Sequence, residues 1–348
     1  MKSILPRALS GLALSGLVLA GFELSAAPAA AAPVNALGVM QRIPADVLTI
    51  GWVRTASPGP DGLVGKNIAE WLTVGQQRGS MLPIIAGAVA GDKDAVDRNW
   101  PVIDTSMAHE NPDGSFQHAA VILGVVQKPV YEPTSDAFWI AESVEALLFL
   151  RASPLGPQYA ARIDALVPKY RLALQWLTRP ENVGYMIKAD GGGSTNRIIE
   201  DAKALLLGYQ FTGVPAALAV GEDFLNRGLS AQTPEGYFPE RGGPDTSYNA
   251  TSCGHLAEIS LWVDDPRIGP AVSRGIAWEL AQLRADGSVD TTQNTRTAGQ
   301  ETYFGHVKTV NYLDVTRAFA LWGALSGDAN ATNAARQTAS IAKGPKKP

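Results

Sequence analysis

The sequence predicts an all-α fold in which helical hairpins close into a ring. Three observations carry this. Apolar residues recur at helical spacing through most of the chain after residue 33. A short glycine-bearing turn recurs between pairs of helices. Unusual polar residues concentrate in the loops that begin particular helices. With 348 residues, 46% of them hydrophobic and 18% charged, the chain holds enough apolar material for one large core or two modest ones. That composition excludes a disordered chain.

Residues 1–32 stand apart. Lys2 and Arg7 make a positive start, an uncharged apolar stretch runs over 9–20, and Ala29-Ala30-Ala31 fits a small-residue cleavage site. This is the pattern of a secretory signal peptide. The expected product is a secreted or periplasmic protein, with no membrane association after signal cleavage. A single catalytic domain is expected over 33–345.

The helices follow in order. Segments 65–74 and 81–90 read as helical, with 75–79 between them, and 47–53 reads as a short strand or a helix start. A helix over 135–151 carries Phe138, Ile140, Ala141, Val144, Leu147 and Leu148, with Ser135 or Asp136 as its cap. The next runs over 159–177 and stops before Pro180. Further helices fit 195–211, 214–229, 247–263, 269–283, 309–325 and 330–342. Between them the turn recurs as Asp113-Gly114-Ser115-Phe116, Asp190-Gly191-Gly192, Glu235-Gly236-Tyr237-Phe238 and Asp286-Gly287-Ser288-Val289. In a closed ring the inner helices bury both faces, the outer ones bury one, and the polar loops rim a central cavity. The alternative is an open helical solenoid.

Three loop-to-helix junctions hold the informative polar residues. In the first, Gly191-Gly192-Gly193 leads to Ser194-Thr195-Asn196-Arg197. Ser194 or Thr195 caps the helix, and Asn196 and Arg197 fall on its first turn. Arg197 there opposes the helix dipole, which an anionic ligand would explain. Pairing with Glu200 or Asp201 is the structural alternative. In the second, an acid, a base and two aromatics precede a helix: Glu240, Arg241, Asp245 as N-cap, and Tyr248 on the first turn. His255 lies two turns on and reads as structural, while Tyr248 reads equally as an acid–base group or a core aromatic. In the third, Glu301, His306 and Lys308 form a candidate cluster for proton transfer and substrate clamping. His109 and His118 are second choices. Trp139 is a candidate for lining a cleft, and most other tryptophans read as core.

Several classes are excluded. The net charge of −4 offers no nucleic-acid footprint. Cys253 stands alone, so neither a disulfide nor a cysteine-based zinc site forms within the chain. The histidines lack metal-ligand spacing, the 191–193 glycines are not followed by a phosphate-loop lysine, and no nucleophile elbow occurs. The expected set of cofactors and metals is therefore empty.

These junctions resemble the α/α-toroid enzymes, which include polysaccharide lyases. Ser194-Thr195-Asn196-Arg197, then Glu235-Gly236-Tyr237-Phe238 and Tyr248, is similar in order to the toroidal domain of hyaluronate and chondroitin lyases. The resemblance covers residues 190–250. Glu240 and Arg241 stand where that family has a histidine, and its Asn-Trp-Trp motif has no clear counterpart. It implies an incomplete or closed α/α toroid that cleaves an anionic, uronic-acid-containing polysaccharide or oligosaccharide by β-elimination. Tyr248 and His306 would move the proton, and Asn196 and Arg197 would neutralise the carboxylate. Arg241, Asp245, Glu240, Glu301, Lys308 and Trp139 would bind substrate. The alternatives are a glycoside hydrolase pairing Glu240 or Asp245 with Glu200 or Glu301, and a non-catalytic sugar-binding protein.

Overall fold

A computed structural model describes residues 35–53, 57–60, 62–64, 74–118, 121–122, 125–126, 131–303 and 306–343. The expected signal peptide at 1–32 and most of the expected helix at 65–74 lie outside them. Two short helices open the described chain, α1 (Ala36–Met40) and α2 (Ala45–Leu48). The segment that read as a strand or helix start continues α2 as a π-helical turn, Thr49–Val53. A 3-10 segment, Val74–Ser80, leads into α3 (Met81–Ala90) and α4 (Lys93–Ala108). After a two-stranded hairpin, β1 (Val121–Ile122) and β2 (Val125–Val126), come α5 (Pro133–Ala152) and α6 (Gly156–Leu177). Next are α7 (Pro180–Asp190), α8 (Thr195–Thr212), α9 (Pro215–Ser230), α10 (Thr246–Ser260) and α11 (Ile268–Ala281). A second antiparallel hairpin, β3 (Ala298–Tyr303) and β4 (His306–Thr309), precedes α12 (Tyr312–Ser326) and α13 (Ala329–Ala342).

The helices pack as a closed ring of hairpins. The inner helices α5, α8, α10 and α12 touch in succession, α12 meets α1 and the π-helical turn, and α3 joins that turn back to α5. Two long-range hydrogen bonds fasten the seam: Arg42 Nε donates to the Ala324 carbonyl at 2.8 Å, and Arg317 Nη1 to the Gly51 carbonyl at 3.2 Å. Burial follows from position in the ring. In α5 every residue from Pro133 to Leu150 is buried, because other helices flank it on all sides. In α6, α9, α11 and α13 the buried residues form one stripe, as expected for outer helices with a solvated face.

The recurring glycine turn has a structural cause. At Gly114, Gly236 and Gly287 φ is +92°, +103° and +84°, a region that favours glycine. A Cβ there would lie 2.4 Å from Leu172 O, 2.8 Å from Arg274 O and 2.9 Å from Gln337 O. Each turn therefore docks against the next outer helix, α6, α11 or α13 respectively. All three share one hydrogen-bond pattern, with the glycine N–H donating to the carbonyl three residues back. The turn at Gly191 is different. Its φ is −68°, and it caps α7. Helix α7 is an insertion after α6, so the sequence pattern at 190–192 is not a repeat of the others.

Several element boundaries and elements differ from the sequence reading. Pro180 does not merely follow a helix; it begins α7, where its missing N–H costs nothing. Helix α4 was not expected, since Asn99 and Pro101 interrupt its apolar pattern, yet its apolar stripe of Val96, Trp100, Ile103 and Met107 is buried. Thr309 belongs to β4 and Asn311 caps α12, with Val310 between them, so the helix starts only at Tyr312.

Candidate functional site

The N-termini of the inner helices converge. Thr134 and Ser135 at the start of α5, Asn196 and Arg197 of α8, Ser247 and Tyr248 of α10, and Asn311 and Asp314 at α12 line one central cavity of about 950 Å³. That volume suits a small-molecule ligand. The walls mix polar and apolar surface about equally, with Leu82, Phe138 and Tyr248 contributing to the apolar part.

The floor of the cavity is an ionic cluster set deeper along the same helices. Lys203 of α8 is fully buried. Its Nζ donates to Glu142 Oε1 at 2.8 Å and to Glu258 Oε2 at 2.7 Å, and lies 2.6 Å from Glu145 Oε2. His255 Nδ1 lies 3.0 Å from Glu258 Oε2, and its Nε2 lies 3.9 Å from Glu200. Glu200 is in turn 3.4 Å from Arg78. Burial favours the neutral form of every member, and the neighbours decide who yields. For Lys203 the three carboxylates outweigh burial, and its pKa is held above the usual ammonium value. For Glu258 burial is outweighed by Lys203 and His255, which hold it below the usual carboxylate range. Burial dominates at Glu145 and pushes it up to about 8. Burial would lower His255, but the Glu258 hydrogen bond and the charges of Glu200 and Glu258 raise it above its usual value.

The rim is a second charged network. The Tyr248 ring lies under two cations, with Arg296 Cζ 4.6 Å and Lys308 Nζ 5.0 Å from its centroid. Arg296 grips Glu301 through Nε at 2.8 Å and Nη2 at 2.9 Å, and pairs with Glu240 as well. Arg241, at φ +50°, reaches Glu301 at 3.1 Å, and Lys308 does so at 3.3 Å. Hydrogen bonding to Arg296 lowers Glu301 to about 2.

Each candidate from the sequence has a definite place. Asn196, Arg197, Tyr248 and Lys308 face the cavity. Asn196 Oδ1 is buried and makes no hydrogen bond among the described residues. Arg197 is paired, although with Asp190 at 2.9 Å rather than with Glu200 or Asp201, because the α7 insertion brings Asp190 to the mouth of α8. Glu301 and Arg241 sit in the rim network. Glu240 and Asp245 are fully buried and so do not meet a ligand in the cavity. Asp245 caps α10 as expected, and its carboxylate also accepts from the Arg296 and Thr297 amides, tying the 290s loop to that helix. Trp139 does not line a cleft. It is fully buried in α5, among the inner helices. His306 lies in β4 with its side chain outside the described residues. His118 is buried against Asp136 at 2.7 Å, and His109 Nδ1 lies 2.8 Å from the Thr105 carbonyl, so neither second-choice histidine lines the cavity.

The sequence reading took His255 as structural and Glu200 as a partner of Arg197 or a hydrolase carboxylate, and passed over the rest of the cavity floor. Its signal was present: Glu142, Glu145 and Lys203 are charged residues inside otherwise apolar helical runs, and His255 and Glu258 share a helix face at i and i+3. The atoms of Glu142, His255 and Glu258 come within 4.8 Å of one another, a donor set of a kind that can ligate a cation. Lys203 already contacts two of its three members, so the charge of the group is met from within the chain.

No family model matches this chain, and no curated protein matches it. Among solved structures it is similar to an ent-copalyl diphosphate synthase from Streptomyces platensis, at 16% identity and a TM-score of 0.46. The match covers 84% of this chain and 50% of that one, so the chain spans about half the length of the matched structure. Among the described residues no helix is long and apolar enough to cross a membrane.

The expectation of a polysaccharide lyase is corrected. The solved structure that it is similar to bears the name of a copalyl diphosphate synthase, not of a polysaccharide lyase. The geometry also removes the two requirements of β-elimination. Tyr248 stays a neutral phenol, because burial, together with Glu240, Asp245 and Glu301, outweighs Arg296 and pushes its pKa above the usual value. The cavity is not a positively lined basin either. Arg78, Arg197, Arg296, Lys308 and Arg317 line it, and each is paired with a carboxylate. The two-carboxylate hydrolase falls for a related reason, since Glu240 and Asp245 are sealed from the cavity. The sugar-binding alternative falls with the polysaccharide reading it came from.

Proposed function

We propose that this chain is an acid–base enzyme acting on an uncharged, polar small molecule in the central cavity, with His255 carrying the proton. One observation carries the reading. At the cavity floor, His255 is oriented by the ionised Glu258 while its other nitrogen faces Glu200. A histidine held by one carboxylate and facing a second at a cleft has the geometry of a general acid or base.

The rest of the floor supports this role. Lys203 keeps Glu258 ionised, which fixes the imidazole by a charge-assisted bond. The paired wall cations leave no strong demand for an anionic ligand. An uncharged molecule bearing hydroxyl, amide or carbonyl groups fits that wall.

The test uses compounds that raise the melting temperature of the intact protein. Each is incubated with it in D2O and followed by NMR for deuterium incorporation or conversion. Turnover by the natural chain that is lost in His255→Gln, with binding retained, supports the reading. Turnover at the natural rate in His255→Gln refutes it, and so does binding by several such compounds with no turnover of any.

A further inference from the structure

At the cavity floor His255 faces a second carboxylate across a gap. Its Nε2 lies 3.9 Å from Glu200 Oε2, and both residues line the cavity. That spacing is longer than a hydrogen bond. Glu200 is steadied through its other oxygen, Oε1, which lies 3.4 Å from Arg78 Nε. Arg78 is itself placed by a 2.8 Å bond from Nη1 to the Gly75 carbonyl and by the Phe138 ring, whose centre lies 5.2 Å from its Cζ. The remaining floor carboxylates are drawn to a different cation, since Lys203 pairs with Glu142, Glu145 and Glu258. Glu142 also comes within 4.8 Å of His255, but its Oε1 accepts from Lys203 Nζ. Glu200 is thus the cavity carboxylate beside Nε2 that Arg78, and not Lys203, holds in place.

We propose that Glu200 is the second proton carrier of this site, and that the substrate is an α-hydroxy ketone or α-hydroxy aldehyde isomerised through an enediol. This deepens the His255 reading and rests on it. An imidazole nitrogen and a carboxylate oxygen 3.9 Å apart can address the C–H and the O–H of one carbinol carbon together. A carbon gives up its hydrogen as a proton when a neighbouring carbonyl takes the electron pair, which makes the α-hydroxy carbonyl the class that uses both groups. His255 Nε2 takes the carbon-bound proton. The C–H pair becomes the C=C bond of the enediol, and the carbonyl π pair moves to its oxygen. Glu200 Oε2 takes the hydroxyl proton and hands it to the former carbonyl oxygen. The O–H pair forms the new C=O bond, and His255 returns its proton to the neighbouring carbon. Atoms and electrons balance with no oxidant or reductant. Such a substrate is uncharged, in keeping with walls whose cations are already paired.

The test incubates the full chain in D2O with hydroxyacetone, dihydroxyacetone and D-erythrulose, each followed by NMR against a protein-free blank. The natural chain is expected to place deuterium on the carbinol carbon beside the carbonyl and to yield the isomeric aldehyde. His255→Gln loses both signals. Glu200→Gln, folded by circular dichroism, is expected to lose the aldehyde at least about tenfold more than the deuterium incorporation, because the oxygen proton has lost its carrier while the carbon proton has not. Glu200→Asp keeps a carboxylate and recovers part of the aldehyde. A purely structural role for Glu200 would lower the two signals together. Deuterium without aldehyde in the natural chain, equal loss of both signals in the Glu200 variants, or loss of neither, overturns the proposal. No reaction with any of the three compounds also overturns it, and leaves the His255 reading standing where another ligand is turned over.

Discussion

The Lys203 ammonium lies 2.7 Å from the Glu258 carboxylate, and the lysine side chain has no exposed surface at all. Residues on α8 and α10 thus meet in an ion pair beneath the cavity, with Glu142 and Glu145 of α5 closing it from the third helix. Such a cluster is costly to desolvate, and taking away one partner is costlier still. Lys203→Met leaves three carboxylates facing each other in the interior. It is expected to lose about 3–5 kcal/mol of stability in urea unfolding. A loss below about 1 kcal/mol would show that the carboxylates find other partners.

Stability should also depend on pH through Glu145. Its folded pKa, about 8, lies above its ordinary 4.5. A carboxyl raised on folding contributes fully below its unfolded value, and that contribution is lost as pH rises through the folded one. The melting temperature is therefore expected to fall as pH climbs from about 5 to about 9. Glu145→Gln should flatten that part of the curve. An equal slope in the variant would assign the fall to another group.

His255 has the opposite chemistry but the same sign. Its imidazolium pKa is raised in the fold, so the stability it contributes is present at acid pH and fades as pH rises through the folded value. Glu258→Gln removes the strongest raising contact, leaving Glu200 at 3.9 Å and Glu142 within 4.8 Å of the ring. Titration of the His255 ring by NMR should show a lower midpoint in the variant than in the natural chain. An unmoved midpoint would mean that Glu258 does not set the histidine's charge.

The glycine turns give a steric prediction. Gly236→Ala places a Cβ 2.8 Å from the Arg274 carbonyl at φ +103°, so it combines a clash with strain. It is expected to cost about 1–3 kcal/mol by thermal or urea unfolding. Gly254→Ala is the control. Gly254 lies within α10 with open space where a Cβ would go. That change should be neutral or stabilise by up to about 1 kcal/mol. A similar effect of the two substitutions would refute the docking role of the turn.

Much of this architecture was legible in the chain because it is written in local periods. Helical spacing placed α5, α6 and α8 to α13 to within a few residues, and the repeated turn disclosed the ring. The convergence of Asn196 and Tyr248 followed from their shared position on the first turns of inner helices. Helix periodicity reports which face is apolar, but it does not report which charged groups meet across three helices. The partners of Lys203 are 55 to 61 residues away in sequence, and their burial was set by closure of the ring. The same holds at the rim. Lys308 reads as a substrate clamp, and tertiary packing gathers it with Arg296 around Glu301. The helices were decided by local spacing, whereas the charge of the cavity and the identity of its proton carrier were decided by which distant side chains the closed ring shut away from water.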